Sequence, residues 1–234
     1  MLFRSSTFLL AAAAIFLSGC VTKPQLPVDL APTALKTGNQ RIGVAMTQLP
    51  KVEVHLPGAS CLLCIMTATA ANSGLSKHAS SLALEDLPGL KDKAAAALRQ
   101  NGAGTVVVIN EPLDIKALLD SSATTPNAAK KNFAPLKQKY GIDMLLVIDI
   151  NALGFERMYS AYFPTSDPKG LLRGTGYLVN LGTNIYEWYL PVYVAKSADG
   201  KWDEPAAFPG LTNAYYQALE LGKDAFLQPL ALAK

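Results

Sequence analysis

One apolar segment near the middle of the chain constrains the fold most. Asp143 to Asn151 contains the consecutive residues Met-Leu-Leu-Val-Ile and follows directly on Gly141-Ile142. A short continuous apolar run of this kind, bounded by turn residues, is typical of a buried strand. Such strands occur in sheets whose faces are covered by helices. The segment therefore predicts a sheet in which this strand is central.

Two helix-then-strand pairs support that architecture. Asp86 to Gly102 has apolar residues at helical spacing, and Asn101-Gly102 is typical of the left-handed turn that ends a helix. This helix leads into Thr105 to Asn110, a strand that we expect to lie inside the sheet. A second helix, Asn132 to Tyr140, leads into the central strand. Alternation of helices and buried strands is typical of α/β domains.

The remaining segments complete the predicted fold. We expect an α/β single domain with helices packed on a mixed β-sheet, preceded by a flexible tether. Asn72 to Ser81 is rich in small polar residues and is predicted to be a loop, and Pro112 opens a short helix to Asp120. The other predicted elements are strands at Arg41 to Gln48 and Lys51 to Leu56, a hairpin of Arg173 to Asn180 with Ile185 to Lys196, and a helix at Thr212 to Leu227 that Pro229 ends.

The first twenty residues predict where the protein resides. Arg4 precedes ten apolar residues, Phe8 to Leu17, a run too short to span a bilayer but suited to a secretory signal. Leu17-Ser18-Gly19-Cys20 resembles the lipobox of bacterial lipoproteins. The resemblance implies that residues 1–19 are a signal peptide and that Cys20 is lipidated. With Val21 next instead of aspartate, it implies the periplasmic face of the outer membrane.

The rest of the chain divides into a tether and one domain. Residues 20–40 are the lipidated cysteine and a proline-containing flexible linker, and residues 41–234 are the single α/β domain. Removing residues 1–19 takes only Arg4 from the 21 basic side chains, leaving 20 against 18 acidic ones. A nearly neutral chain lacks the basic surface that nucleic-acid binding requires. We therefore expect no nucleic-acid partner.

The order of elements is similar to that of the curli-secretion-channel lipoproteins and the TolB amino-terminal domain. The residues that carry the resemblance are the Leu90 to Gly102 helix before Thr105 to Ile109, and Leu136 to Asp143 before Met144 to Ile150. It implies a non-catalytic subunit of an envelope complex and self-association, because the implied relatives form rings. The membrane hairpins of channel-forming members have no counterpart beyond Arg173 to Lys196, which puts pore formation in doubt.

Cys61-Leu62-Leu63-Cys64 is the one compact group of reactive side chains. In an oxidising compartment a disulfide or a pair of buried thiols is the ordinary interpretation. A thiol-disulfide site would instead require a thiolate exposed at a helix N-terminus. Zinc bound by His55, Cys61, Cys64 and His78 is a further alternative, although the second histidine of a zinc finger is absent from its usual place.

Two apolar groups have alternative interpretations. Leu62, Leu63, Ile65 and Met66 either pack against the sheet, which we expect, or contact lipid or a partner. The aromatic residues of the second hairpin strand form either core or a recognition surface; they are Tyr186, Trp188, Tyr189 and Tyr193.

The sequence predicts a binding or assembly protein of the envelope that is not an enzyme and carries no cofactor. With only two histidines in the chain, most acid-base and triad schemes lack their usual base. The predicted partners are the membrane, through the lipid, and a protein or a second copy. The alternative is a thiol-disulfide or metal-binding protein that uses Cys61 and Cys64.

Overall fold

A computed structural model describes residues 24–35 and 40–232. The predicted signal peptide, the lipobox and Cys20 lie outside the described residues. The chain forms a single α/β domain in which helices pack on a mixed sheet, as the sequence predicts. No helix in the described part combines the length and apolarity that a bilayer span requires.

The main sheet has six strands. They are β1 (Arg41–Met46), β2 (Val52–His55), β3 (Thr105–Val108), β4 (Met144–Glu156), β7 (Lys169–Asn180) and β8 (Ile185–Ser197). The strands lie in the order β3-β1-β4-β7-β8, and β2 pairs with the same edge of β4 as β1 does. A separate two-stranded hairpin consists of β5 (Tyr159–Ser160) and β6 (Phe163–Pro164). The first four strands of the main sheet are parallel, whereas β7 and β8 run antiparallel to their neighbours.

Six α-helices accompany the sheet. They are α1 (Pro32–Leu35), α2 (Leu62–Ala71), α3 (Ser73–Ala79), α4 (Leu90–Gln100), α5 (Pro135–Tyr140) and α6 (Pro209–Leu232) in the described residues. A 3₁₀ turn, Leu87–Gly89, precedes α4. Gly141 ends α5 with φ 61°, the left-handed conformation that glycine adopts at low cost.

Strand β4 is central, as predicted, and β7 pairs with one of its edges along almost the whole strand. Its 13 residues span about 40 Å at the usual rise per residue. Strand β1 pairs with its first half and β2 with its second half along the same edge. The five residues between β1 and β2 therefore leave a gap at the middle of β4, where Pro50 interrupts pairing.

One face of the sheet carries the main core, which α4 and α6 cover. Helix α6 buries one stripe of side chains, each at most 1% exposed: Leu211, Tyr215, Leu219 and Phe226. The close approach of α6 requires glycine: a Cβ on Gly170 would lie 2.5 Å from the backbone of Ala214. The opposite face carries a smaller core formed under residues 110–140, with Phe133 and Tyr177 in contact.

A half-buried ionic group fastens α6 to the turn before α4. Lys223 of α6 donates to Asp86 and to Glu220, and Lys93 of α4 also donates to Asp86. Burial alone would lower the pKa of Lys223, but these hydrogen bonds raise it above its ordinary value. The same bonds, from Lys223 first and Lys93 second, lower the pKa of Asp86 to about 2.

Several predicted elements differ from the structure. Within residues 24–35 and 40–232, strand β3 pairs with β1 alone, so it is an edge strand and not an inner one. The predicted loop of Asn72 to Ser81 contains α3, which buries Leu75 and Ala79. The predicted helix from Pro112 to Asp120 is not helical. Helix α6 continues to Leu232 with Pro229 inside it, because its last turn still packs Leu230 into the core.

The described part of the predicted linker lies on the domain. Val28 and Tyr189 exchange two backbone hydrogen bonds of 2.9 Å, and Leu35 is 2% exposed in the main core. Gln25 Nε2 donates to Asn127 Oδ1 (3.2 Å), beside the turn that joins β7 to β8. The predicted linker of residues 20–40 is therefore corrected for residues 28–35, which pack because Leu30 and Leu35 are apolar.

Candidate functional site

Helix α2 begins at a disulfide. Cys61 and Cys64 are bonded through their sulfur atoms, and Cys61 is the N-cap residue of the helix. The backbone N–H of Cys64 donates to Sγ of Cys61 at 3.0 Å, which is the usual N-cap hydrogen bond with sulfur in place of oxygen. The two cysteines differ in environment: Cys61 is exposed, whereas Cys64 is 2% exposed.

Among the described residues, one narrow stripe at α2 is buried. Cys64, Ala68 and Asn72, at spacing i, i+4 and i+8, are buried, and every residue between them is exposed. This stripe packs in a small cluster with Ala59 and Tyr159 that is separate from the two sheet cores. The other sides of the helix therefore face solvent.

A hydrogen-bond network holds the C-terminal end of α2 in place. Asn72 Nδ2 donates to the Tyr159 hydroxyl (2.7 Å) and to the carbonyl of Ala68 (2.7 Å). Arg157 Nη1 donates to Asn72 Oδ1 (3.1 Å), and the Arg157 guanidinium lies 4.8 Å from the centre of the Trp202 ring. The buried Asn72 amide is satisfied on both its donor and acceptor sides, so it fixes the orientation of the helix.

The exposed side of α2 and the neighbouring β5–β6 hairpin form one apolar surface. We define the α2 surface as six side chains that are each 43–76% exposed: Leu62, Leu63, Ile65, Met66, Tyr162 and Phe163. Hairpin and helix are adjacent, since the Tyr162 hydroxyl lies 3.7 Å from Sγ of Cys61. No Asp, Glu, Lys or Arg occurs in residues 56–76 or 158–166, the two segments that form the surface.

The expectation that Leu62, Leu63, Ile65 and Met66 pack against the sheet is wrong. Helix α2 carries no charged residue and has no polar face to direct outward, and the stripe by which it packs consists of the small residues Cys64 and Ala68. Soluble proteins rarely expose contiguous apolar side chains without a binding role. The alternative interpretation, contact with lipid or a partner, is the one that this exposure favours.

The two histidines are engaged away from the cysteines. His55 Nε2 lies 3.2 Å from the carbonyl of Leu153, and His78 Nε2 lies 2.7 Å from Thr212 Oγ1. Burial lowers the pKa of His78, whose ring stacks on Phe155. Residues 24–35 and 40–232 contain no group of three or more His, Cys, Asp or Glu side chains that could hold a metal ion. The candidate zinc set of His55, Cys61, Cys64 and His78 is therefore not assembled.

The aromatic residues of β8 divide between the two faces of the sheet. Trp188 lies in the main core, while Tyr186 and Tyr189 pack with Tyr177 on the opposite face. Burial raises the pKa of Tyr186 to about 12. Tyr193 is 58% exposed, and its hydroxyl donates to Glu156. Most of this group is therefore core and not a recognition surface.

A cleft of about 600 Å³ lies at the gap between β1 and β2. Its carboxylates are already used within the protein. Thr47 Oγ1 donates to Asp149 Oδ1 (2.9 Å), and Asp114 Oδ1 accepts the backbone N–H groups of Lys116 (3.0 Å) and Ala117 (3.2 Å). The residues that line the cleft include no histidine or cysteine. The α2 surface is the stronger candidate for function.

Neither protein-family models nor curated protein sequences match the chain. Among solved structures, the chain is similar to a point variant of PelC from Paraburkholderia phytofirmans, a dodecamer, with TM-score 0.37 and 10% identity over 88% of this chain and 94% of that one. It is also similar to XCC0632 from Xanthomonas campestris, with TM-score 0.41 and 15% identity over 88% and 90%. Lipoprotein GNA1162 from Neisseria meningitidis gives a TM-score of 0.26 and 15% identity over 77% and 94%. Likeness at this level supports no statement about function.

Sequence reasoning missed the hairpin half of the α2 surface and the residues that support the helix. Tyr162 and Phe163 are separated from α2 by about ninety residues, so only the fold brings them together. One signal was available: residues 158–166 form a second uncharged segment with three large apolar or aromatic side chains besides Tyr159. Asn72 and Arg157 gave no such signal, because each has its role only through a hydrogen bond to the other, and they are 85 positions apart in the sequence.

Proposed function

We propose that the protein is a lipoprotein anchored through Cys20 to the periplasmic face of the outer membrane, and that it acts as a non-catalytic binding or assembly component of an envelope complex. Such a complex would serve export, transport or envelope maintenance. The observation that supports the binding role is the α2 surface, an exposed and uncharged apolar surface held in place by the satisfied Asn72 network. The anchor rests on the resemblance of residues 17–20 to the lipobox.

The contacts of this surface are those expected of a docking site and not of a part of the folding core. Its six side chains contribute nothing to either sheet core, yet the surrounding structure makes several specific contacts that hold the helix in one orientation. Rigid presentation of apolar side chains reduces the entropy lost when a partner binds. Apolar anchors presented in this way are typical of the central part of a protein interface.

The occupant that we propose for the α2 surface is a second copy of the chain. Two identical patches that meet across a two-fold axis repel each other when they carry charge of one sign, and neither segment of this surface carries a charge. The resemblance to assembling envelope lipoproteins points the same way. A different envelope protein and the lipid bilayer are the other occupants that the test must separate.

Photo-crosslinking in cells tests the proposal directly. A benzophenone amino acid at position 63 should give a crosslinked product of twice the mass of the chain. Leu119, which is 78% exposed and lies outside the α2 surface, is the matched control position. A product with another protein or with phospholipid would contradict self-association, and a pattern at position 63 equal to the control would contradict docking on this surface.

The anchor requires its own test. Mass spectrometry of the amino-terminal peptide should find Cys20 as the first residue, carrying acyl chains, and Cys20→Ala should leave the signal uncut or release the protein from the membrane. Two or three acyl chains bind a bilayer far more firmly than one. Unmodified Cys20 in a membrane-free protein would contradict the anchored part of the proposal without affecting the crosslinking result.

A further inference from the structure

We infer that Cys61 and Cys64 form a thiol-disulfide exchange site whose substrate is a cysteine-containing polypeptide docked on the α2 surface. This goes beyond the proposed non-catalytic role, because it assigns a covalent reaction to the same surface; the polypeptide substrate and a second copy of the chain occupy that surface at different times. It rests on three observations: the unequal exposure of the two cysteine residues, the position of Cys61 at the helix N-terminus, and the apolar side chains around it.

The exposure of the two cysteines matches the two roles in an exchange reaction, in which one cysteine reacts with the substrate and the other re-forms the internal disulfide. Cys61 is exposed and can be reached by an external thiolate, whereas Cys64 is 2% exposed and cannot. An external thiolate is therefore directed to Sγ of Cys61. The buried Sγ of Cys64 can react only by forming the Cys61–Cys64 bond again. A disulfide that served stability alone would need no such asymmetry, and a bond that closes so short a loop adds little to stability.

The helix N-terminus stabilises the reduced form of Cys61. In the thiolate state Sγ of Cys61 can keep the hydrogen bond from the N–H of Cys64, now 3.0 Å, and it lies at the positive end of the dipole of a ten-residue helix. The Tyr162 hydroxyl, 3.7 Å away, is a second donor. Thiolates at helix N-termini have pKa values below the ordinary value of about 8.5.

The apolar surroundings supply a binding site for the polypeptide. Leu62 and Leu63 follow Cys61 directly, and Phe163 follows the Tyr162 that contacts its sulfur. These three side chains are all more than 60% exposed. A polypeptide that presents a cysteine between apolar residues can therefore place its sulfur near Cys61 while its neighbours contact the α2 surface.

The reaction proceeds by two displacements at sulfur. A thiolate of the polypeptide attacks Sγ of Cys61, the Cys61–Cys64 bond breaks, and Cys64 leaves as a thiolate that takes up a proton. A second thiolate of the polypeptide attacks the polypeptide sulfur of the mixed disulfide and releases Cys61. The polypeptide loses two electrons and gains a disulfide, while Cys61 and Cys64 gain those two electrons. The reverse sequence reduces a polypeptide disulfide.

Alkylation of the full chain in detergent tests the assignment. Iodoacetamide labelling of the reduced protein, mapped to each cysteine by mass spectrometry, should modify Cys61 with a pH midpoint below about 8.5 and leave Cys64 unmodified. A midpoint one unit lower corresponds to roughly tenfold more thiolate at neutral pH. Tyr162→Phe should raise the midpoint, whereas Tyr216→Phe, on α6, should not.

Trapping with glutathione disulfide provides the second measurement. Cys64→Ser should form a mixed disulfide with glutathione at Cys61, and Cys61→Ser should form none at Cys64. In the unsubstituted protein, millimolar glutathione should reduce the Cys61–Cys64 bond, a result that does not depend on whether either variant folds. Equal labelling of both cysteines, a Cys61 midpoint at or above about 8.5, or a bond that resists glutathione would overturn the proposal. An unreactive Cys61 would leave docking on the α2 surface unaffected.

Discussion

Helices α6 and α2 are both rich in apolar residues, but the protein uses them in opposite ways. Helix α6 packs one stripe, which includes Tyr215 and Phe226, into the main core and keeps most of its polar residues outside. Helix α2 buries only Cys64 and Ala68 and exposes its large side chains. Burial in the core explains why α6 is apolar, but it does not explain the exposed apolar side chains of α2. An apolar helix therefore suggests a binding role only when its large side chains are found outside the core.

The largest effect expected from this comparison is on α6. Phe226→Ala removes a fully buried ring from the main core and should lower the free energy of unfolding by about 3–5 kcal/mol. Leu221→Ala, at a 46% exposed position of the same helix, is the control and should change it by less than about 0.5 kcal/mol. Urea unfolding measures both. Equal effects would contradict the assignment of α6 to the core.

The next effect concerns how closely α6 approaches the sheet. Gly170→Ala places a methyl group 2.5 Å from the Ala214 backbone and should destabilise the protein by about 1–3 kcal/mol. Gly74→Ala is in α3, and its new methyl group has no neighbour within 4 Å beyond the nearby backbone of its own helix, so it should be neutral or stabilising by up to about 1 kcal/mol. Thermal unfolding should show a lowered midpoint for Gly170→Ala and an unchanged or raised midpoint for Gly74→Ala.

A smaller effect should appear in the pH dependence of stability. The pKa of Asp86 is lowered to about 2 in the folded protein, below its ordinary value of 3.8, so its stabilising contribution is complete above pH 3.8. That contribution is lost as the pH falls through about 2. Asp86→Asn should therefore be less stable than the unsubstituted protein at about pH 6, and the difference should shrink at about pH 2.5. A constant difference at the two pH values would contradict the ion-pair assignment.

The smallest effect on stability should come from the α2 surface. Leu63→Ser and Met66→Ser should each change the free energy of unfolding by less than about 0.5 kcal/mol, because both side chains are more than half exposed. The same variants should reduce self-association in sedimentation velocity experiments on the detergent-solubilised chain. A loss of stability comparable to that of Phe226→Ala would mean that α2 belongs to the folding core after all.

Pattern and composition predict the elements that pack on the main sheet. The apolar run of β4, the β7–β8 hairpin and the stripe of α6 were all predictable because periodicity reports directly on burial. Strand β3 could not be placed, since a β-branched run has the same appearance at an edge and in the interior. The position of Tyr186 was also hidden: a bulge at Glu187 moves it to the face opposite Trp188, against the two-residue period.

The candidate site was predictable in part. The Cys61 to Cys64 spacing made a local disulfide one of the expected outcomes, and the structure contains that bond. The exposure of α2 could not be predicted, because a helix that is apolar on every side carries no information about which side is covered. The contacts of Asn72, Tyr159 and Arg157 join residues more than eighty positions apart, and no local pattern reports such pairs.

Strand β4 also works as a spacer. Its two ends carry different parts of the protein: Gln25, near the start of the described chain, lies beside the β7–β8 turn at one end, and α2 follows β2 at the other. A molecule held on α2 is therefore kept roughly one strand length, about 40 Å, from the end at which the polypeptide enters the domain. The length of strand β4 would then set the distance between that entry point and a molecule bound on α2.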